Sequence, residues 1–108
     1  MIANEENIKT LFSKMNNEGW DISKPLKWGF FFYSKVEDNL KMVYSELMDH
    51  DYQVEYVHEN EDNEWVLHVS KVESLASNKL HRRNIAFNEL AEAYNSYYDG
   101  WDVGKIDE

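Results

Sequence analysis

Ile8, Leu11, Phe12 and Met15 recur at the spacing of one helical face, in a segment that opens with Glu5 and Glu6 and meets a helix-ending glycine at Gly19. The spacing predicts an amphipathic helix of about three turns. Asp21 to Leu26 form a linker in which Pro25 excludes a helix interior. The period then becomes two. In KWGFFFYS, Phe30 and Phe32 face one way and Phe31 and Tyr33 the other, so this strand is apolar on both faces and is expected at the centre of a sheet. After Ser34 the helical period returns: Val36, Leu40, Val43 and Leu47 make one stripe, Ser34 and Glu37 fit a capping box, and a helix is expected from about Lys35 to Asp49.

The next twenty residues, DYQVEYVHENEDNEWVLHVS, alternate twice around an acidic turn. Tyr52, Val54 and Tyr56 share a face on the first arm and Trp65, Leu67 and Val69 on the second, which predicts an antiparallel hairpin turning at Asn60 to Asn63. Leu80, Phe87, Leu90, Ala91 and Tyr94 then recur at the helical period between Asn78 and Ser96, with Ser74, Ser77 and Asn78 as alternative caps. Asp99 and Gly100 break that pattern before Trp101 and Val103, which face alike in a short last strand. The order is a helix followed by β-α-β-β-α-β. It predicts an α+β protein of ferredoxin-like type, with two helices on one face of an antiparallel sheet and an additional N-terminal helix, in one domain over residues 1–108.

Charge narrows the function. The chain has 11 Lys and Arg against 21 Asp and Glu, a formal net charge of -10. A field of that sign repels phosphate backbones and anionic lipid, so direct nucleic-acid binding is disfavoured and basic partners are favoured where the acids cluster. With no cysteine, disulfides, thiolate metal sites and cysteine nucleophiles are excluded. The first residues lack a basic segment followed by an apolar run, and no stretch approaches the roughly 20 apolar residues of a membrane span. A cytosolic protein without membrane attachment is expected.

Catalytic patterns are missing. His50, His58, His68 and His81 are scattered over two helices and the hairpin without a close ligand set, and no metal or cofactor is expected. Opposite positions in a hairpin centred between Asp62 and Asn63 sum to roughly 125, which sets His58 near Leu67 and diagonal to His68. Glu59, Glu61, Asp62 and Glu64 crowd the turn, where solvent is their default surroundings; they read as an acidic patch for an Arg- or Lys-rich segment or as a hydrated turn, and not as a catalytic pair. No GxSxG elbow, P-loop or GxGxxG turn occurs. Lys79, Arg82 and Arg83 form the one local positive spot, ordinary for a helix surface.

The C-terminal stretch YDGWDVG, Tyr98 to Gly104, combines two aromatics, two aspartates and two glycines. Structurally, Asp99 and Gly100 would turn the chain and Trp101 would seal the core; functionally, Tyr98 and Trp101 beside Asp99 and Asp102 would suit a protein-binding surface. YDGW directly after a helix resembles the C-terminal signature of the RraB family, regulators of ribonuclease E activity. The resemblance extends over roughly Gly19 to Gly104, with Asp51, Tyr52 and Val54 entering the second strand, Trp65 to Val69 as the third, and Asn88 to Tyr97 preceding the motif. It implies a noncatalytic protein of ferredoxin-like type that binds the ribonuclease and inhibits or redirects RNA decay by the degradosome.

The expected function is a protein-binding regulator of a ribonuclease or its assembly. The expected contact residues are Glu59, Glu61, Asp62 and Glu64 with Tyr98, Asp99, Trp101 and Asp102. An immunity protein that neutralises a toxin by direct binding is the alternative, since such proteins are also small, acidic and rich in aromatics. A small-molecule enzyme would require a pocket holding coupled carboxylates.

Overall fold

A computed structural model describes residues 2–106, so residues 1, 107 and 108 of the expected domain lie outside the described residues. The elements follow the expected order: α1 (Glu5–Asn17), β1 (Leu26–Ser34), α2 (Glu37–Met48), β2 (Gln53–Glu59), β3 (Trp65–Glu73), α3 (Ser77–Ala93) and β4 (Tyr97–Gly104). The four strands form one antiparallel sheet in the order β2-β3-β1-β4. This is an α+β topology in which β1 and β2 run parallel with β3 between them. The apolar strand β1 is internal, as its two-faced pattern predicts.

One face of the sheet carries the core. Trp28, Phe30, Phe32, Leu67, Val69 and Tyr98 pack with Ile8 and Phe12 of α1, Leu40, Val43 and Leu47 of α2, and Leu80, Phe87 and Ala91 of α3. Trp28 is wholly buried, stacks on Phe12 at 5.7 Å and donates its indole N–H to the carbonyl of Glu73 at 3.0 Å. Arg83, part of the expected positive spot, pairs instead with Glu73 and lies over the rings of Phe30 and Tyr52, which burial pushes up to a tyrosine pKa of about 12.

Several local expectations are corrected. Leu11 and Val36, assigned to apolar stripes, are exposed. Ser34 is the last residue of β1 and not the start of a capping box: its hydroxyl accepts from the Val36 N–H and the Asn39 side chain, and the residue before α2, Val36, caps nothing with its side chain. Ala76 precedes α3 in the same uncapped way, so none of the three polar candidates caps that helix. The hairpin pairs His58 with Val66 and Tyr56 with His68, one position from the expected alignment. A bulge at Glu55 then separates Val54 from Tyr56 in register. The extra residue reverses the alternation, so Tyr56 leaves the face that Val54 occupies.

The YDGWDVG segment is also changed. The chain turns earlier, at Asn95, whose φ of 51° ends α3 in the left-handed region. β4 already runs from Tyr97, and Asp99 is the extra residue of a second bulge: Phe31 pairs with Gly100 and Phe32 with Tyr98. Gly100 follows with φ 141°, a conformation that favours glycine.

Candidate protein-binding face

The second face of the sheet stays outside the core cluster. Pairing register assigns it Lys27, Gly29, Phe31 and Tyr33 of β1, Val66, His68, Ser70 and Val72 of β3, Tyr56 and His58 of β2, and Tyr97 and Asp102 of β4. Tyr56 is 39% exposed, Val72 55% and Tyr97 52%, while Phe31 and Tyr33 are half-buried. Aromatic area is therefore offered to solvent on a rigid sheet.

Its middle is a row of rings. Phe31 stacks on His68 with centroids 4.3 Å apart, Tyr56 lies 5.1 Å from His68, and His58 lies 4.6 Å from Tyr56. Burial lowers the His68 pKa against the opposing pull of Asp102 and Glu55, which favours the neutral imidazole. Glu55, freed from the strand alternation by its bulge, accepts from the Ser70 hydroxyl at 2.5 Å and from Lys27 at 2.9 Å, and these bonds hold its carboxyl below the usual value. Beside them the sheet is hollowed. A side chain at Gly29 would collide with the Asp102 carboxylate and His68 Nε2, and a recess of about 230 Å³ lies among Lys27, Gly29, His68, Ser70 and Asp102.

The acidic turn stands at one end of this face. Asn60 Oδ1 accepts from the backbone N–H of Asp62 at 2.9 Å and of Glu64 at 3.0 Å, while Asn63 takes φ 60°. Glu59, Glu61 and Asp62 point into solvent and Glu64 is half-buried. The pairs Ser34 with Trp65 and Tyr33 with Tyr97 bring the turn and the start of β4 to the same end of the sheet. Tyr33 has its pKa raised by burial first and then by the charges of Asp99, Tyr56 and Glu64. Glu64 and Asp99, from the two segments singled out in the sequence, thus flank one tyrosine.

Two expected contact residues lie elsewhere. Tyr98 is 1% exposed and packs into the core, its hydroxyl donating to Asn84 Oδ1 at 2.5 Å. Trp101 points to the same side and packs on Trp28 at 5.7 Å. Asp99 and Asp102 are exposed. Phe31, Tyr33, Tyr56 and His68 were not singled out as contact residues, although the two-faced apolar pattern of β1 carried the signal for the first two.

A recess of about 820 Å³ between α1 and the start of α3 is lined by Phe12, Ile22, Leu75, several serines and Lys9 and Lys79, with no carboxylate or histidine in its wall. Among the described residues no group of three His, Cys, Asp or Glu is placed to hold a metal ion, and no helix is long and apolar enough to cross a membrane.

Fold and face together define an α+β protein whose open sheet face presents aromatics rimmed by acids, chemistry suited to protein contact. Within that class the chain belongs to the RraB family: the family model described as regulator of ribonuclease activity B matches residues 4–103. This membership supports a regulatory, protein-binding role. No curated protein matches the chain.

Proposed function

We propose that the chain is a noncatalytic regulator that binds a ribonuclease, ribonuclease E or a related component of an RNA-degrading assembly, through the open face of its sheet. The observation that carries this reading is the family match over residues 4–103. The strand order β2-β3-β1-β4 fits a ferredoxin-like sandwich built as one domain, with α1 added. A ribonuclease must hold an anionic polymer, and does so with basic segments. A protein of net charge -10 with Asp99 and the half-buried Glu64 beside Tyr33 is complementary to such segments while repelling RNA itself. Modulation would follow from occupying protein surface, in the cytoplasm where RNA is degraded, with no cofactor.

Affinity capture of the tagged chain from its native lysate, at physiological and raised salt, tests the reading. A ribonuclease or degradosome component recovered at low salt and lost at high salt is the expected result. A toxin recovered in its place would transfer the protein to the immunity class, and no reproducible partner would withdraw the ribonuclease assignment.

A further inference from the structure

We propose that the recess between α1 and the start of α3 binds a small organic carboxylate with an apolar body, in the chemical class of a medium-chain fatty acid. The recess belongs to the helical layer, on the side of the sheet away from the open face, so the proposal is independent of the ribonuclease reading.

Three stretches of chain build it. One stripe of α1, from Lys9 to Asn16, forms one wall, and the connection from β3 into α3 forms the other. The linker before β1 closes the space between them at Ile22 and Ser23. The Ser74 hydroxyl donates to the Ser23 carbonyl at 3.1 Å and the Ser23 hydroxyl donates to Asp21 at 2.5 Å, which fixes the linker against that connection. Phe12 and Leu75, both buried members of the core cluster, supply an apolar floor together with the half-buried Ile22. At about 820 Å³ the recess lies within the roughly 300–1,000 Å³ typical of small-molecule sites.

The charges identify the guest. The chain has 21 acidic residues against 11 basic ones, yet this wall holds two lysines and no carboxylate. Lys79 makes no ion pair among the described residues. Lys9 meets Glu5 at 3.3 Å, an exposed pair one helical turn apart that an incoming carboxylate can replace at little cost. Ser23 and Ser74 are committed to the linker, whereas the hydroxyls of Ser13 and Ser77 have no hydrogen-bond partner among the described residues and add two donors. Donors and positive charge above an apolar floor match a ligand with an anionic head and a hydrocarbon body: the head gains charge-assisted bonds and the body leaves water. One uncommitted ammonium balances one negative charge, which favours a carboxylate over a dianionic phosphate, and the net charge of -10 disfavours any polyanion.

The test is an NMR titration of the isotope-labelled full chain with octanoate, beside octanol and octylammonium, which carry the same hydrocarbon on a neutral and a cationic head. Octanoate should shift the amides of Ser13, Leu75 and Ser77 and the methyl groups of Ile22, and bind several-fold more tightly than either counterpart. Lys79→Gln, at an exposed position, should weaken octanoate by about fivefold and leave octanol unmoved. Ser13→Trp, also exposed, should fill the recess and abolish octanoate binding, and Lys79→Gln stands on its own if that variant does not fold. Equal binding of the three head groups, or a silent Lys79→Gln, would overturn the proposal by reducing the recess to an apolar hollow without anion recognition. Absence of any shift at these residues would overturn it as well. A capped peptide of alternating glutamate and leucine that shifts them where octanoate does not would also overturn it, and would give the recess to an acidic protein segment.

Discussion

Phe31 and His68 lie ring on ring across the pair of central strands, with centroids 4.3 Å apart and planes 5° from parallel. The next residue on the strand, Phe30, points the other way and is wholly buried against Phe87 at 5.0 Å. One strand thus supplies the core with one side and a contact surface with the other. Phe30→Ala should cost about 3–5 kcal/mol of stability, as expected for truncation in a packed core. Phe31→Ala should cost only about 1–2 kcal/mol, yet weaken partner binding about tenfold or more. Urea denaturation and a binding titration on both variants check the contrast, and equal stability losses would mean that the open face is covered.

Tyr98 offers the converse test. Its hydroxyl ends on the fully buried Asn84, so Tyr98→Phe leaves that amide oxygen without its donor and should cost about 1–3 kcal/mol. Binding by the folded variant should not change, because the ring faces the core. A variant of native stability with impaired binding would return Tyr98 to the interface.

Element order, the internal position of β1 and the position of the acidic turn were all legible in the periodicities. The bulges were not. A single unpaired residue leaves no periodic mark of its own, yet Glu55 reverses the facing of Tyr56, and Asp99 makes a strand irregularity of what resembles a turn. Asp-Gly signals a positive φ, which a bulge needs as much as a turn does. Similarly, KWGFFFYS is apolar on both sides whether the sheet has two covered faces or one covered and one reserved for a partner. Only the placement of the helices distinguishes these cases, and that depends on contacts remote in sequence.

Gly100 should be intolerant of alanine. At φ 141° any β-carbon strains the backbone immediately after the bulged Asp99, and Gly100→Ala should destabilise by more than about 1 kcal/mol. Thermal and urea unfolding would measure it. A neutral result would show that β4 can repair its register without the bulge.

Stability should fall on acidification in two separable steps. The folded-state pKa of His68 lies below its ordinary 6.5, mainly through burial, so between those values the unfolded chain binds more protons. His68 is therefore neutral in its effect above pH 6.5 and destabilising as pH falls from 6.5 through its folded pKa. Glu55 has its carboxyl lowered from 4.5 by the Ser70 and Lys27 hydrogen bonds, so its contribution is present above pH 4.5 and lost as pH falls through the folded value. His68→Gln should flatten the first step alone and Glu55→Gln the second. Denaturation midpoints collected from pH 8 to pH 3 would resolve them, and an unchanged slope below pH 6.5 in His68→Gln would exclude the histidine as its source.

The acids themselves should not be equivalent. Glu64 and Asp99 flank Tyr33, where a partner would exclude water, whereas Glu61 and Asp62 stand at the tip of the turn in bulk solvent. Charges at a desolvated contact act on the bound state, while those on a rim act chiefly on the rate of encounter and are screened by salt. Glu64→Gln with Asp99→Asn should therefore lower affinity for the captured partner about tenfold, mostly through faster dissociation. Glu61→Gln with Asp62→Asn should lower it only about twofold, through slower association that raised salt reproduces in the unmodified protein. Surface-plasmon kinetics at three salt concentrations separate the two effects. Slower association in both pairs, with dissociation unchanged, would place the partner over the tip of the turn alone and remove Tyr33 from the centre of the interface.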